Sequence, residues 1–278
     1  MVSIIIAAHN EEAVLGATLD ALAPGSPGLE IVVVPNGCTD GTVGVARSRT
    51  DVTVVELSRG GKARALNAGD ASATSFPRIY LDADIEVPQG GVAALTGALE
   101  TPGILAAVPA RHLAVTGRPR LVRAYFAINE RLPAFQDGLF GRGMIALSAE
   151  ARARFGEFPI MVADDLFLDS LFTAQEKAHV TDVVVTVETP FTTRDLIQRL
   201  VRVRRGNAAM RQAGDRGTVK AAIRPSDRWA WLRHVVAREP RLILHGLAYV
   251  AITLVAAVRA RKGPLTALSW GADRSTRK

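Results

Sequence analysis

The chain has a single cysteine, Cys38, among its 278 residues. That excludes an internal disulfide and points to a reducing, cytoplasmic setting. Aromatic residues are scarce at 5%, against 48% hydrophobic residues in all. So aliphatic a composition excludes a disordered chain and suits an α/β protein. No segment recurs with a period of about 20–50 residues, which excludes a solenoid. The opening MVSIII carries no basic leader, is too short for a signal peptide and reads as a first strand. The length allows a sizeable core, as one large domain or a domain with an appendage.

Acidic residues run short in one region only. Residues 194–278 hold 19 Lys/Arg against 5 Asp/Glu, whereas residues 1–193 hold 15 against 22. The net charge of +7 therefore divides into an acidic body and a basic tail, which faces polyanions such as phosphates, nucleic acid or anionic lipid.

The first half alternates β-rich runs with helical stretches. VSIIIAA (2–8) precedes a helical pattern over 11–22, EIVVVP (30–35) leads through NGCTDGT into VGVARSR, and VTVVEL (52–57) leads to KARALNAGDAS. This order predicts a mostly parallel, Rossmann-like sheet flanked by helices, with ligands bound beyond the carboxyl ends of the strands. RIYLDADI (78–85) would place Asp82 and Asp84 at such an end. If the strand continues through them, both point to one side. Two carboxylates so close repel unless a cation offsets them. Oxygen ligands of this kind suit Mg²⁺ or Mn²⁺, which share their shell with substrate phosphates. Alone, a D-x-D pair is more often a solvated loop acid than a metal site.

Other segments join it in order. SIIIAAHNEE, VVVPNGCTDGT, GGKARALNAG, YLDADI, FGRGMIALS, ADDLFL and RLVRV together resemble family 2 glycosyltransferases, the GT-A-fold enzymes that use nucleotide-sugar donors. The resemblance covers about residues 2–215, which are expected to form a GT-A-like domain, with 216–278 as a basic helical tail. It implies an inverting, metal-dependent transfer from a nucleoside-diphosphate sugar to an acceptor hydroxyl, with metal on Asp84 and Asp82. It also implies a donor site at Ala8, His9, Glu11, Asn36, Lys62, Asp82, Ala83, Asp84, Arg199 and Arg202. Acceptor contacts fall to Gly143, Met144 and Asp164, and the base role to Asp165. Negative charge grows on the departing diphosphate, which Lys62, Arg199 and Arg202 would offset. Arg199 and Arg202, three apart, would share one helix face. A carboxylate base contributes about 10²–10⁴-fold. Read without the resemblance, Asp164 and Asp165 are helix-opening acids that favour the dipole. Asp169 reads as a surface residue.

The chain departs from the family pattern at Pro35, where a base-reading aspartate is usual, at His9, where tyrosine is usual, and at Val203, where tryptophan is usual. Pro35 has neither an acidic side chain nor an N–H donor, which leaves the donor base open, with Asn36 able to meet a base edge. It also invites an alternative, a non-catalytic nucleotide-sugar-binding or scaffold protein of the same fold at a membrane. In the tail, LILHGLAYVAITLVAAV (242–258) is uncharged and bracketed by arginines. At about 1.5 Å per residue it is short of a full span. Spanning, interfacial and core placements all remain open, and Trp229 and Trp231 suit a headgroup boundary. Together these features point to the cytoplasmic membrane face, with a lipid or lipid-linked glycan as acceptor. Nucleic-acid binding is disfavoured, because RLVRVRRGNAAMRQ lacks interleaved aromatics. A nucleotidyltransferase is disfavoured too, because no glycine-rich opening follows the first strand.

Overall fold

The computed structural model describes residues 1–22, 28–219, 221 and 223–262. Seven strands, β1 (Val2–Ala8), β2 (Leu29–Pro35), β3 (Val52–Val54), β4 (Arg78–Asp82), β5 (Ala106–Ala114), β6 (Met144–Leu147) and β7 (Lys177–Glu188), form one sheet in the order β3-β2-β1-β4-β6-β5-β7. All neighbours run parallel except β6, which is antiparallel to both β4 and β5. The helices are α1 (Leu15–Ala21), α2 (Thr42–Arg47), α3 (Lys62–Ser72), α4 (Gly91–Ala98), α5 (Arg120–Asn129), α6 (Pro133–Asp137), α7 (Ala149–Ala153), α8 (Asp164–Ser170), α9 (Thr193–Asp215) and α10 (Ile243–Arg261).

The central strands are apolar throughout because helices cover both faces. Alternation sends Ile5, Ala7, Val32 and Val34 to a core that includes Ala65 and Leu66 of α3. Ile4, Ile6, Ile31 and Val33 point the other way, to Leu15 and Leu19 of α1 and Leu95 of α4. The predicted mostly parallel sheet is thus the one observed.

Two expected elements are shorter. The helix expected over 11–22 begins at Leu15, because the N–H groups of Glu11 and Glu12 turn to Thr42 and Asp40 in the next loop. The strand expected over 78–85 ends at Asp82. Ile85 N–H returns to the Asp82 carbonyl at 3.3 Å, so Asp84 lies in a turn and strand alternation does not govern its direction.

The tail lies along the body. Gly246, Ile252 and Ala256 of α10 are buried, and Tyr249 stacks on Tyr125 of α5 with ring centroids 5.0 Å apart. Tyr125, Ile252 and Leu196 of α9 share one apolar cluster. The opposite face of α10 exposes Leu244, Leu247, Leu254 and Val258. Residues 240–261 are long and apolar enough to cross a membrane by length and composition.

Candidate active site

The carboxyl ends of β1 and β4 open into a cleft of ≈ 1650 Å³. At its centre stands Lys62, the first residue of α3, delivered by the Gly60-Gly61 turn. Its Nζ donates to Asp82 Oδ1 at 2.7 Å and pairs with Asp164 Oδ2 at 2.9 Å. Burial alone would lower its pKa, but the charges of Asp164 and Asp82 outweigh it and raise it. Lys62 is therefore an ammonium that ties the end of β4 to the start of α8.

Asp164 and Asp165 open α8 after Ala163, whose φ of 132° is a strained value for a residue with a Cβ. Asp165 is half-buried, and its Oδ1 accepts the Leu166 N–H at 2.8 Å. Burial first, and the Asp164 charge second, push its carboxyl up to about 6, with Lys62 opposing. A carboxylate with that pKa is ionised at neutral pH and still basic enough to take a proton. Asp84 stands exposed in the turn after β4. Desolvation of the carboxylate, then the Asp82 charge, raise its pKa, while Arg199 and Lys62 oppose.

Among the described residues, no group of three His, Cys, Asp or Glu side chains is arranged to hold a metal. Two neighbouring carboxylates beside a cleft rich in arginine nevertheless fit a hard cation that completes its shell with phosphate oxygens and water.

Of the predicted site residues, the cleft gathers His9, Lys62, Asp82, Gly143, Met144, Asp164, Asp165, Arg199 and Arg202. Ala8, Glu11, Asn36, Ala83 and Asp84 are not among its lining residues, Asp84 lying in the turn after β4 next to Asp82. Ala8 ends β1, and its carbonyl accepts both the backbone N–H and the side-chain amide of Asn36, at 2.9 and 2.8 Å. Asn36 is fully buried; its Oδ1 accepts the Gly61 N–H at 2.9 Å, and its carbonyl accepts from His9 Nδ1 at 2.6 Å. The Asn36 amide thus ties three loops together instead of meeting a base edge, a correction to the sequence reading. Ala83 is buried, and its carbonyl accepts from Thr18 at 2.8 Å. Glu11 is half-buried at the loop before α1.

Gly143 has a φ of 66°, and a Cβ there would come within 2.4 Å of Ile85 and 3.2 Å of Asp82 Oδ2. Its carbonyl accepts the Asp82 N–H at 2.7 Å, so it seats the aspartate by close backbone approach. Asp169 is a second correction. It is buried, accepts the Leu139 N–H at 3.0 Å, and pairs with Lys177 at 2.7 Å and Arg224 at 3.4 Å. Arg111 and Arg204 also line the cleft. They belong to no motif, and only the tertiary fold brings β5 and α9 to one wall.

Comparison with known proteins follows this geometry. The family described as Glycosyl transferase family 2 matches residues 3–154. No curated protein matches the chain. Among solved structures, the mannosyltransferase PcManGT from Pyrobaculum calidifontis, in complex with GDP-Man and Mn²⁺, is similar with a TM-score of 0.61 and 22% identity, over 95% of this chain and 76% of that one. Glucosyl-3-phosphoglycerate synthase from Mycobacterium tuberculosis, with Mn²⁺, UDP-glucose and phosphoglyceric acid, gives 0.52 and 22%, over 68% and 72%. S. aureus TarS 1–349 gives 0.53 and 15%, over 90% and 71%. At these identities the likeness is one of fold.

Proposed function

The chain belongs to glycosyl transferase family 2 and is a glycosyltransferase; we propose that it moves a sugar, with inversion, from a nucleoside-diphosphate sugar to an acceptor hydroxyl. The observation that carries this reading is Lys62 held between Asp82 and Asp164, because it brings the donor-side strand end and the Asp165 carboxylate into one cleft. Asp165 takes the acceptor proton as the hydroxyl attacks. Asp84 and Asp82 would hold a Mg²⁺ or Mn²⁺ ion, which supplies positive charge for the departing diphosphate. Lys62, Arg199 and Arg202 add charge around the same group. His9, at the cleft edge, faces the nucleoside.

The test is release of free nucleoside diphosphate from a panel of UDP-, GDP- and dTDP-sugars, with and without Mg²⁺ or Mn²⁺ and with membrane extract as acceptor source. GDP-mannose and UDP-glucose head the panel, since solved structures of the same fold hold them. Metal-dependent release from one donor, lost in Asp84→Asn, is expected. Silence together with no donor binding would instead favour a non-catalytic member of the fold.

The tail supports placement on the cytoplasmic membrane face. Leu244, Leu247, Leu254 and Val258, spaced three, seven and four residues apart, lie on the exposed side of α10, with Arg259 and Arg261 at its end. A helix packed along the body on one side and apolar on the other lies in the interface plane. The acceptor is then a lipid or a lipid-linked glycan.

A further inference from the structure

The arginines of the cleft exceed what a diphosphate needs, and two of them pair with none of its aspartates, which Lys62 engages at Asp82 and Asp164. Arg111 projects from β5 over the Phe135 ring at 4.3 Å. Its Nη1 donates to the Gly141 carbonyl at 3.2 Å and its Nη2 to Asn129 Oδ1 at 3.3 Å. These are neutral partners, and Arg111 forms no salt bridge among the described residues. Burial first, then repulsion from Arg142 and Arg199, pull its pKa down to about 10, opposed by the charge of Glu130, which itself pairs with Arg131. Arg204, on α9, is exposed in the same cleft, likewise forms no salt bridge there, and acts electrostatically on the hydroxyls of Tyr125 and Tyr249. Tyr125 and Tyr249 line the same cleft as both guanidinium groups.

The carboxylates that share this part of the wall are already engaged. Glu188 pairs with Arg118 and Asp227 with Arg233. Crowded cations with neutral partners in a partly dry cleft form an anion site, and guanidinium forks suit phosphate geometry. The surrounding cleft is walled by Ala230, His234 and Tyr249 of the tail.

Resting on the transferase reading, we infer that Arg111 and Arg204 bind a phosphate carried by the acceptor, separate from the diphosphate of the donor. The phosphate belongs either to a lipid or to a soluble phosphorylated molecule. A lipid would reach the site past α10, whose outer face is the apolar one.

Calorimetric titration of the full chain with three probes tests this: dioctanoyl phosphatidic acid below its micellar concentration, the uncharged dioctanoylglycerol, and glycerol 3-phosphate. Saturable binding of a phosphomonoester is expected, weakened at least tenfold in Arg111→Gln/Arg204→Gln and left unchanged in Arg47→Gln, an exposed arginine outside the cleft. Arg204→Gln alone, at an exposed position with no hydrogen bond to lose, gives a weakening of severalfold without disturbing the fold. Binding of phosphatidic acid well above glycerol 3-phosphate assigns a lipid source, and equal binding assigns a soluble one. Equal binding of dioctanoylglycerol, no binding of either phosphomonoester, or binding indifferent to both variants overturns the inference. Nucleotide-sugar titration in the same samples separates the two readings. Donor binding without phosphomonoester binding overturns only this site, whereas phosphomonoester binding without donor binding overturns the transferase reading.

Discussion

Asp165 is held ionised at neutral pH in a place that disfavours its charge. Burial and Asp164 push its carboxyl up to about 6, from an ordinary value near 4. Such a group adds stability below its unfolded pKa and loses that contribution as pH rises through 6. Asp165→Asn is therefore expected to melt higher than wild type at pH 8, by about 1–3 kcal/mol. The gap should shrink as pH falls through 6 towards 4, as thermal denaturation across pH would show. The same variant is expected to lose about 10²–10⁴-fold in turnover, and the wild-type rate should climb with pH to a plateau above about 6. A melting gap that does not change with pH would remove Asp165 from this role. At this scale the acid pairs stood out only in company with the other motifs, since each alone suits a solvated loop or a helix start. Asn36 and Asp169 were not legible. Their partners, Gly61 for one and Lys177 and Arg224 for the other, lie 8 to 55 residues away, and no local pattern announces such hydrogen bonds.

Among the elements, α9 shows how packing overrides propensity. Gly206 sits inside this 23-residue helix, where alanine would ordinarily stabilise by about 1 kcal/mol. A Cβ at Gly206 would meet the Val162 carbonyl at 2.3 Å, and that carbonyl precedes Ala163, Asp164 and Asp165. Backbone yields less readily than a side-chain tip, so Gly206→Ala is expected to lower the melting temperature by several degrees and reduce turnover at least tenfold. A variant that melts higher would mean that the helix and the 161–163 segment separate easily. The parallel strands β1 and β2 and helix α3 follow directly from their apolar runs and glycine loops. The antiparallel insertion of β6 does not. Its four residues, Met144–Leu147, are a short apolar run whose direction is fixed by the long connection before it, not by its own composition.

At the scale of the whole molecule, charge and apolar surface are both uneven. The basic C-terminal third places α10 against α5 and α9, and its leucine-bearing face has no covering element among the described residues. Wild type is expected to sediment with vesicles containing anionic lipid and to be released as salt rises. Leu247→Glu/Leu254→Glu should remain folded, since both positions are exposed, and should bind vesicles at least tenfold less. Full retention of binding by that variant would assign attachment to the arginines alone.

The packing of Tyr249 on Tyr125 joins α10 to the wall of the cleft, so an enzyme held at a membrane through α10, as proposed, would not tumble independently of that helix. On the proposed placement of α10 in the headgroup layer, encounter with a lipid acceptor would become a search in two dimensions. Turnover then follows the mole fraction of acceptor in the bilayer, and adding inert lipid slows the reaction even when the bulk acceptor concentration is held constant.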